Sequence, residues 1–123
     1  MDDRELLELA AKAAGMNKLT EWSDGILDHD SPHYGYPALH EAGPGGACGS
    51  WNPLTDDGDA LRLAVKLCMN CDFLGAMTGV IFINPSDEDK DGHLQEGPHK
   101  GVSDLQSARR AIVRAAAEIG RAM

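Results

Sequence analysis

Aromatic residues are scarce in this chain: two Trp, two Tyr and two Phe make up 5% of 123 residues. A core built under that constraint is assembled mainly from Leu, Ile, Val, Ala and Met, and is modest in size. Long apolar runs are also missing. None approaches the ~18 residues needed to span a bilayer, and the acidic opening Met1-Asp2-Asp3 is the reverse of a signal-peptide start. The expectation is a cytoplasmic protein with no membrane partner. Cysteine is limited to three residues, two of them in a Cys68-x-x-Cys71 pair. An odd count of this kind fits reduced thiols rather than a disulfide framework. Basic charge is short too, with 11 Lys and Arg against 20 Asp and Glu and a net charge of -9. The deficit lies in residues 1–100, which hold 18 acidic and 7 basic side chains, whereas residues 101–123 hold 2 and 4. An acidic surface repels phosphate backbones, so direct nucleic-acid binding is disfavoured, while docking onto a basic protein surface is permitted.

What is present suits one domain of ordinary size, 42% hydrophobic and 25% charged. The segment DDRELLELAAKAAG reads as a helix capped by Asp2 or Asp3 and stopped at Gly15, with Leu6, Leu9, Ala10 and Ala13 as its apolar stripe and Glu8 and Lys12 paired on its surface. Breakers crowd residues 16–50, so only short strands are expected there, near Thr20–Trp22 and Tyr34–Leu39, with a Gly/Pro-rich loop at about 40–50. The segment WNPLTDDGDALRLAVKLC predicts a second helix with Thr55 as N-cap and Asp56, Asp57 and Asp59 in its first turn. Leu61, Ala64, Val65 and Cys68 are its apolar stripe, and Trp51 lies in the core. Phe73 to Asn84 is the best strand in the chain and is expected to be central and buried, with a weaker strand near His93–Lys100 pairing back as a hairpin. Ser103-x-x-Gln106 has the form of a capping box opening a long helix, with Leu105, Ala108, Ile112, Ala115, Ala116 and Ile119 facing inward. Together these elements predict an α+β fold: a small antiparallel sheet packed with about three helices.

Candidate chemistry is thin. A redox role for Cys68 and Cys71 requires a thiolate at a helix N-terminus, and the pair falls at a C-terminus. A Cys2His2 metal set is formally available from Cys68, Cys71, His29 and His33, but the two pairs are far apart in sequence and inert thiols with surface histidines are the default reading. Asp87, Asp89 and Asp91 with Gly92 copy the first half of an EF-hand loop, yet the position that needs a bidentate Glu is Pro98, so a solvated acidic turn is preferred. Asp56, Asp57 and Asp59 are explained by capping and dipole compensation without catalysis. Arg110, Arg114 and Arg121 share one helical stripe that suits either a solvated face or an acidic partner. No phosphate loop, nucleophile elbow or His-Glu-x-x-His motif is present.

Three blocks carry a family resemblance: DRELLELAAKAAG, WNPLTDDGDALRLAVKL and DLQSARRAIVRAAAEIGRAM. Over these, under half of the chain, the sequence resembles the phage ABA sandwich domain family of small bacteriophage and prophage proteins. The resemblance implies a sheet with packed helices and a temperate-phage source, and it implies no catalytic residues. Residues 29–50 and Cys68-Met69-Asn70-Cys71 depart from the family's usual pattern, a glycine-containing helix end being expected at the latter. The leading expectation is a non-enzymatic phage accessory protein that binds a host protein in the host cytoplasm, without a cofactor. Inhibition of a bacterial defence system in the manner of an anti-CRISPR is its most concrete form. The partner-facing candidates are Arg110, Arg114, Arg121, Asp87, Asp89 and Asp91. The alternatives are a small-molecule, nucleotide- or metal-binding phage protein, using the arginine stripe and the loop at 43–49, and a minor virion component.

Overall fold

Each helix starts where a side-chain oxygen accepts one of the backbone N–H groups left open by the first turn. Asp2 accepts from Glu5 N–H to open α1 (Asp3–Ala13), and Asp56, rather than Thr55, accepts from Asp59 N–H to open α2 (Asp57–Lys66). At α3 (Asp104–Ala122) Ser103 and Gln106 close the expected capping box in both directions. The computed structural model describes residues 2–23, 25, 29–30, 34–41, 50–83, 85 and 91–123. Among them are also β1 (Leu19–Ser23), β2 (Ala38–Glu41), β3 (Asn70–Leu74), β4 (Met77–Ile83) and β5 (Asp91–Glu96).

The fold is α+β. Its strands fall into two antiparallel sheets rather than one: a β1-β2 ribbon, and a β3-β4-β5 sheet with β4 in the centre. The long run from Phe73 to Asn84 is broken at Gly75, whose φ of +66° suits a tight turn that an L side chain resists, so its start belongs to β3. β4 is central as expected, but only one of its faces is covered. Thr78, Val80 and Phe82 point inward, whereas Ile81 and Ile83 are exposed. The partner of Phe82 across the ladder is Gly92, where an added Cβ would stand 2.3 Å from the ring, so the glycine makes room for the aromatic lid.

Two apolar clusters share α3. The first joins Leu6, Leu7, Ala10 and Ala11 of α1, Leu63 of α2, Leu39 and Trp51 to Ile112, Val113, Ala116 and Ala117 of α3. The second joins Val80 and Phe82 of the larger sheet to Ala111, Ala115 and Ile119. α1 and α3 cross closely enough that a Cβ on Gly120 would stand 2.0 Å from the Leu9 carbonyl oxygen. Small side chains thus supply by close approach the burial that scarce aromatics do not.

The stripe of α3 is buried as expected at Ile112, Ala115, Ala116 and Ile119, whereas those of α1 and α2 are shifted from the sequence expectation. On α1 the buried row is Leu6, Leu7, Ala10 and Ala11, with Leu9 and Ala13 at its edge, and Glu8 accepts a hydrogen bond from Trp22 Nε1 at 2.9 Å. On α2 it is Asp59, Ala60, Leu63 and Ala64, leaving Leu61 and Val65 outside, and on α3 Leu105 is likewise exposed. Among the described residues no helix is long and apolar enough to cross a membrane.

Candidate functional site

The arginine stripe of α3 meets a carboxylate that alternation along β5 points inward. Gly92, Leu94 and Glu96 share the face turned toward α3, and Glu96 arrives there with its side chain 7% exposed. Arg114 Nη1 donates a charge-assisted hydrogen bond to Glu96 Oε2, His99 Nε2 lies 2.9 Å from Oε1, and Arg110 Nε approaches Oε1 at 4.0 Å. Arg110 also donates to Asp3 at 3.0 Å, and Arg121 stands 3.6 Å from Glu118. The three arginines therefore line one cavity of about 410 Å³, as the helical wheel predicts. Two of them are turned onto a buried anion rather than standing as a bare cationic stripe. Burying a carboxylate is costly unless it is paired, and this pairing satisfies it.

A neighbouring cavity of about 570 Å³ is bounded by Tyr36, Leu54, His99, Val102, Ser107 and Arg110. The Glu96-His99 pair is the arrangement that orients an imidazole for proton transfer. Ser107, the hydroxyl in the same cavity, is buried and its Oγ has no hydrogen-bond partner among the described residues, so it is not coupled to the His99 imidazole as an activated nucleophile would be.

A third concavity, of about 430 Å³, is apolar and lies between α2, the β3-β4 turn and α3. Its walls are Leu61, Phe73 and Leu105, which are 64%, 61% and 59% exposed, and its floor includes Ala60, Ala108, Ile112 and Thr78. Val65, also exposed, stands one helical turn beyond Leu61 on α2. Thr78 is almost fully buried, and its Oγ1 has no hydrogen-bond partner among the described residues. Arg109 closes one end, donating to Asp57 Oδ1 at 2.6 Å and to the Leu54 carbonyl at 2.8 Å. The other carboxylate lining the groove is that of Asp104.

Of the remaining candidates, Cys68 is an exposed free thiol at the end of α2 and Cys71 a half-buried one in β3, where desolvation raises its pKa above the ordinary 9.0. His29 is exposed beside the Tyr34 ring, with centroids 4.3 Å apart. Among the described residues no three His, Cys, Asp or Glu side chains are placed to share a metal ion. His33, Asp87, Asp89 and the glycine-rich segment 42–49 lie outside the described residues, and Asp91 is an exposed first residue of β5. Scans against protein-family models, curated proteins and solved structures found no match.

Sequence reasoning missed Glu96, and it took the outward row of α2, Leu61 and Val65, for the core face. Glu96 was legible only through the period of two in Asp91-Gly-His-Leu-Gln-Glu96, which sets it on the side of Leu94. The stripe Leu61, Val65 is genuine as a pattern, but α2 carries two apolar rows, and the core takes the one with Ala60, Leu63 and Ala64.

Proposed function

We propose that this chain is a non-enzymatic binding protein that docks a host protein through the groove between α2 and α3. A phage accessory protein acting against a bacterial defence system is the form that the sequence resemblance suggests. The observation that supports the reading is the row of large apolar side chains left uncovered around one groove: Leu61, Phe73 and Leu105. Scattered surface leucines need no explanation, but apolar residues gathered on a single concavity mark an interaction site. Fully burying a Leu or Phe stabilises by ~1.5–3 kcal/mol. Three of them form the centre of an interface, and polar rim contacts have to add the rest against the ~4–15 kcal/mol cost of association.

Affinity purification from host lysate, comparing the natural chain with Leu61→Asp/Phe73→Asp, tests this. Both positions are exposed, so the melting temperature should change little. The expected result is a partner retained by the natural chain and lost by the variant, together with protection of phage in defence-competent bacteria by the natural chain alone. Equal retention by both proteins, or no partner and no protection, overturns it.

A second reading, a small-molecule binding protein, is favoured by the unpartnered Ser107 hydroxyl in the 570 Å³ cavity, a volume within the usual range of ligand sites. A thermal-shift screen against nucleotides and carboxylates checks it, since a specific ligand at 100 times its Kd stabilises by ~2.7 kcal/mol. The absence of any shift that Ser107→Ala removes rejects this reading.

A further inference from the structure

We infer that the occupant of the groove is a basic amphipathic helix of the partner protein, an inference that rests on the docking reading above. Shape is the first argument. Leu61 and Val65 stand four residues apart on α2 and make one ridge, and Leu105 on α3 stands across the groove from it. A trough flanked by two helices, with small side chains from Ala60 and Ala108 in its floor, receives a third helix by the ridges-into-grooves packing that helices use elsewhere. Apolar residues at i, i+3 or i+4 and i+7 of such a segment would meet Leu61, Leu105 and Phe73 in turn.

Charge is the second argument. Among the described residues the groove is lined by a single cation, Arg109, whose side chain is 16% exposed and already donates to Asp57 and to the Leu54 carbonyl. Asp57 and Asp104 are exposed on the same rim, on a chain whose net charge is -9. Lys66, at the far end of α2, does not line the groove. With Arg109 paired to Asp57, the lining keeps the net negative charge of Asp104, and Lys and Arg flanking the anchors complement it.

The third argument is Thr78. Its hydroxyl is buried in the residue row that floors the groove and lacks a partner, although buried polar groups are ordinarily hydrogen-bonded. A hydroxyl or amide side chain beside the apolar anchor of the incoming helix supplies one.

The test uses the full chain and three synthetic 18-residue amphipathic peptides that share one Leu face, with a Ser at its centre. Their opposite faces carry Lys, Gln or Glu. Fluorescence anisotropy and circular dichroism read affinity and peptide conformation. The Lys peptide should bind with gain of helix, at least tenfold more tightly than the Glu peptide, and Leu61→Gln or Phe73→Ser should weaken it about tenfold. Thr78→Val should weaken it several-fold while leaving the melting temperature unchanged or raised.

Equal affinity for all three peptides, a preference for the Glu peptide, or gain of strand instead of helix overturns the basic helical occupant while leaving groove docking in place. Lys-peptide binding unaffected by Leu61→Gln and Phe73→Ser is generic charge attraction and overturns the inference. If those variants also retain the host partner, docking at the groove fails with it. A concentration-dependent dimer abolished by Leu61→Gln would make a second copy the occupant, and equally overturns the inference.

Discussion

Cys68 holds a φ of +54°, a conformation that costs an ordinary L residue roughly 1–2 kcal/mol and that helices usually assign to glycine at this position. It stands just beyond the end of α2, where its own N–H reaches the Val65 carbonyl and that of Met69 reaches the Ala64 carbonyl. Gly15 occupies the same place after α1, with equivalent bonds from Gly15 and Met16 to Lys12 and Ala11. Cys68→Gly should therefore stabilise the fold by about 0.5–1 kcal/mol, the relief of strain less the added freedom of glycine in the unfolded chain. A denaturant midpoint that falls in this variant would contradict the strain argument. The neighbouring Cys71 thiol is pushed above its ordinary pKa of 9.0 by burial, so the folded state favours the protonated form. The sign follows from linkage. This contribution to stability is fully present below about pH 9 and is lost as pH rises through the folded pKa. Stability measured from pH 8 to 10.5 should decline above pH 9 less steeply in Cys71→Ala than in the natural chain. Alkylation at pH 8.5 should label exposed Cys68 before Cys71.

At the scale of elements, the crossing of α1 over α3 depends on the missing side chain of Gly120. A methyl there would stand 2.0 Å from a backbone oxygen of α1, and backbone cannot rotate away as a side chain can. Gly120→Ala should destabilise by about 2–3 kcal/mol despite raising helix propensity, because the helices must separate and loosen Ala116 and Ala117. A chemical melt that shows this variant as stable as the natural chain would mean that α1 packs elsewhere. This crossing was half legible. The caps and the stop at Gly15 follow from local chemistry, and so were readable for α1 and for the Ser103-Gln106 box. The phase of a helix is set by what it packs against, and a helix with two apolar rows does not announce which one is covered. So Leu61, Val65 and Leu105 look like core in the sequence yet are exposed, Leu61 and Leu105 as walls of the groove. Asp59 shows the converse. It reads as a first-turn carboxylate, but it is buried because its Oδ2 accepts the Asn52 N–H at 3.0 Å and its Oδ1 the Arg62 guanidinium at 2.8 Å. That tie, and the bond from Asn52 Nδ2 to the Pro37 carbonyl, give the Asn-Pro-Leu-Thr-Asp-Asp segment a structural reason that neither periodicity nor propensity reveals.

In the whole molecule, Glu96 is the point where sheet and helices are tied together. From the end of β5 it is held by Arg114 of α3, and Arg110, one turn earlier, reaches both Glu96 and Asp3 of α1. The two apolar clusters meet on the same helix, α3. Removing one partner of a buried ion pair leaves the other uncompensated, whereas neutralising both avoids that cost. Arg114→Ala should therefore destabilise by about 2–3 kcal/mol, a large share of the ~5–15 kcal/mol available to a small domain. The double variant Arg114→Ala/Glu96→Gln should recover part of the loss, and the cycle with Glu96→Gln alone gives the coupling energy. If Glu96 joins the layers as its contacts indicate, tryptophan fluorescence, from Trp51 in the α1-α2-α3 cluster and Trp22 packed against it, and far-UV circular dichroism should give coincident melts in the natural chain. In Arg114→Ala both should shift together to lower temperature. A fluorescence melt that stays in place while the dichroism shifts would mean that the β3-β4-β5 sheet detaches independently, and that Glu96 anchors a sheet edge rather than the molecule.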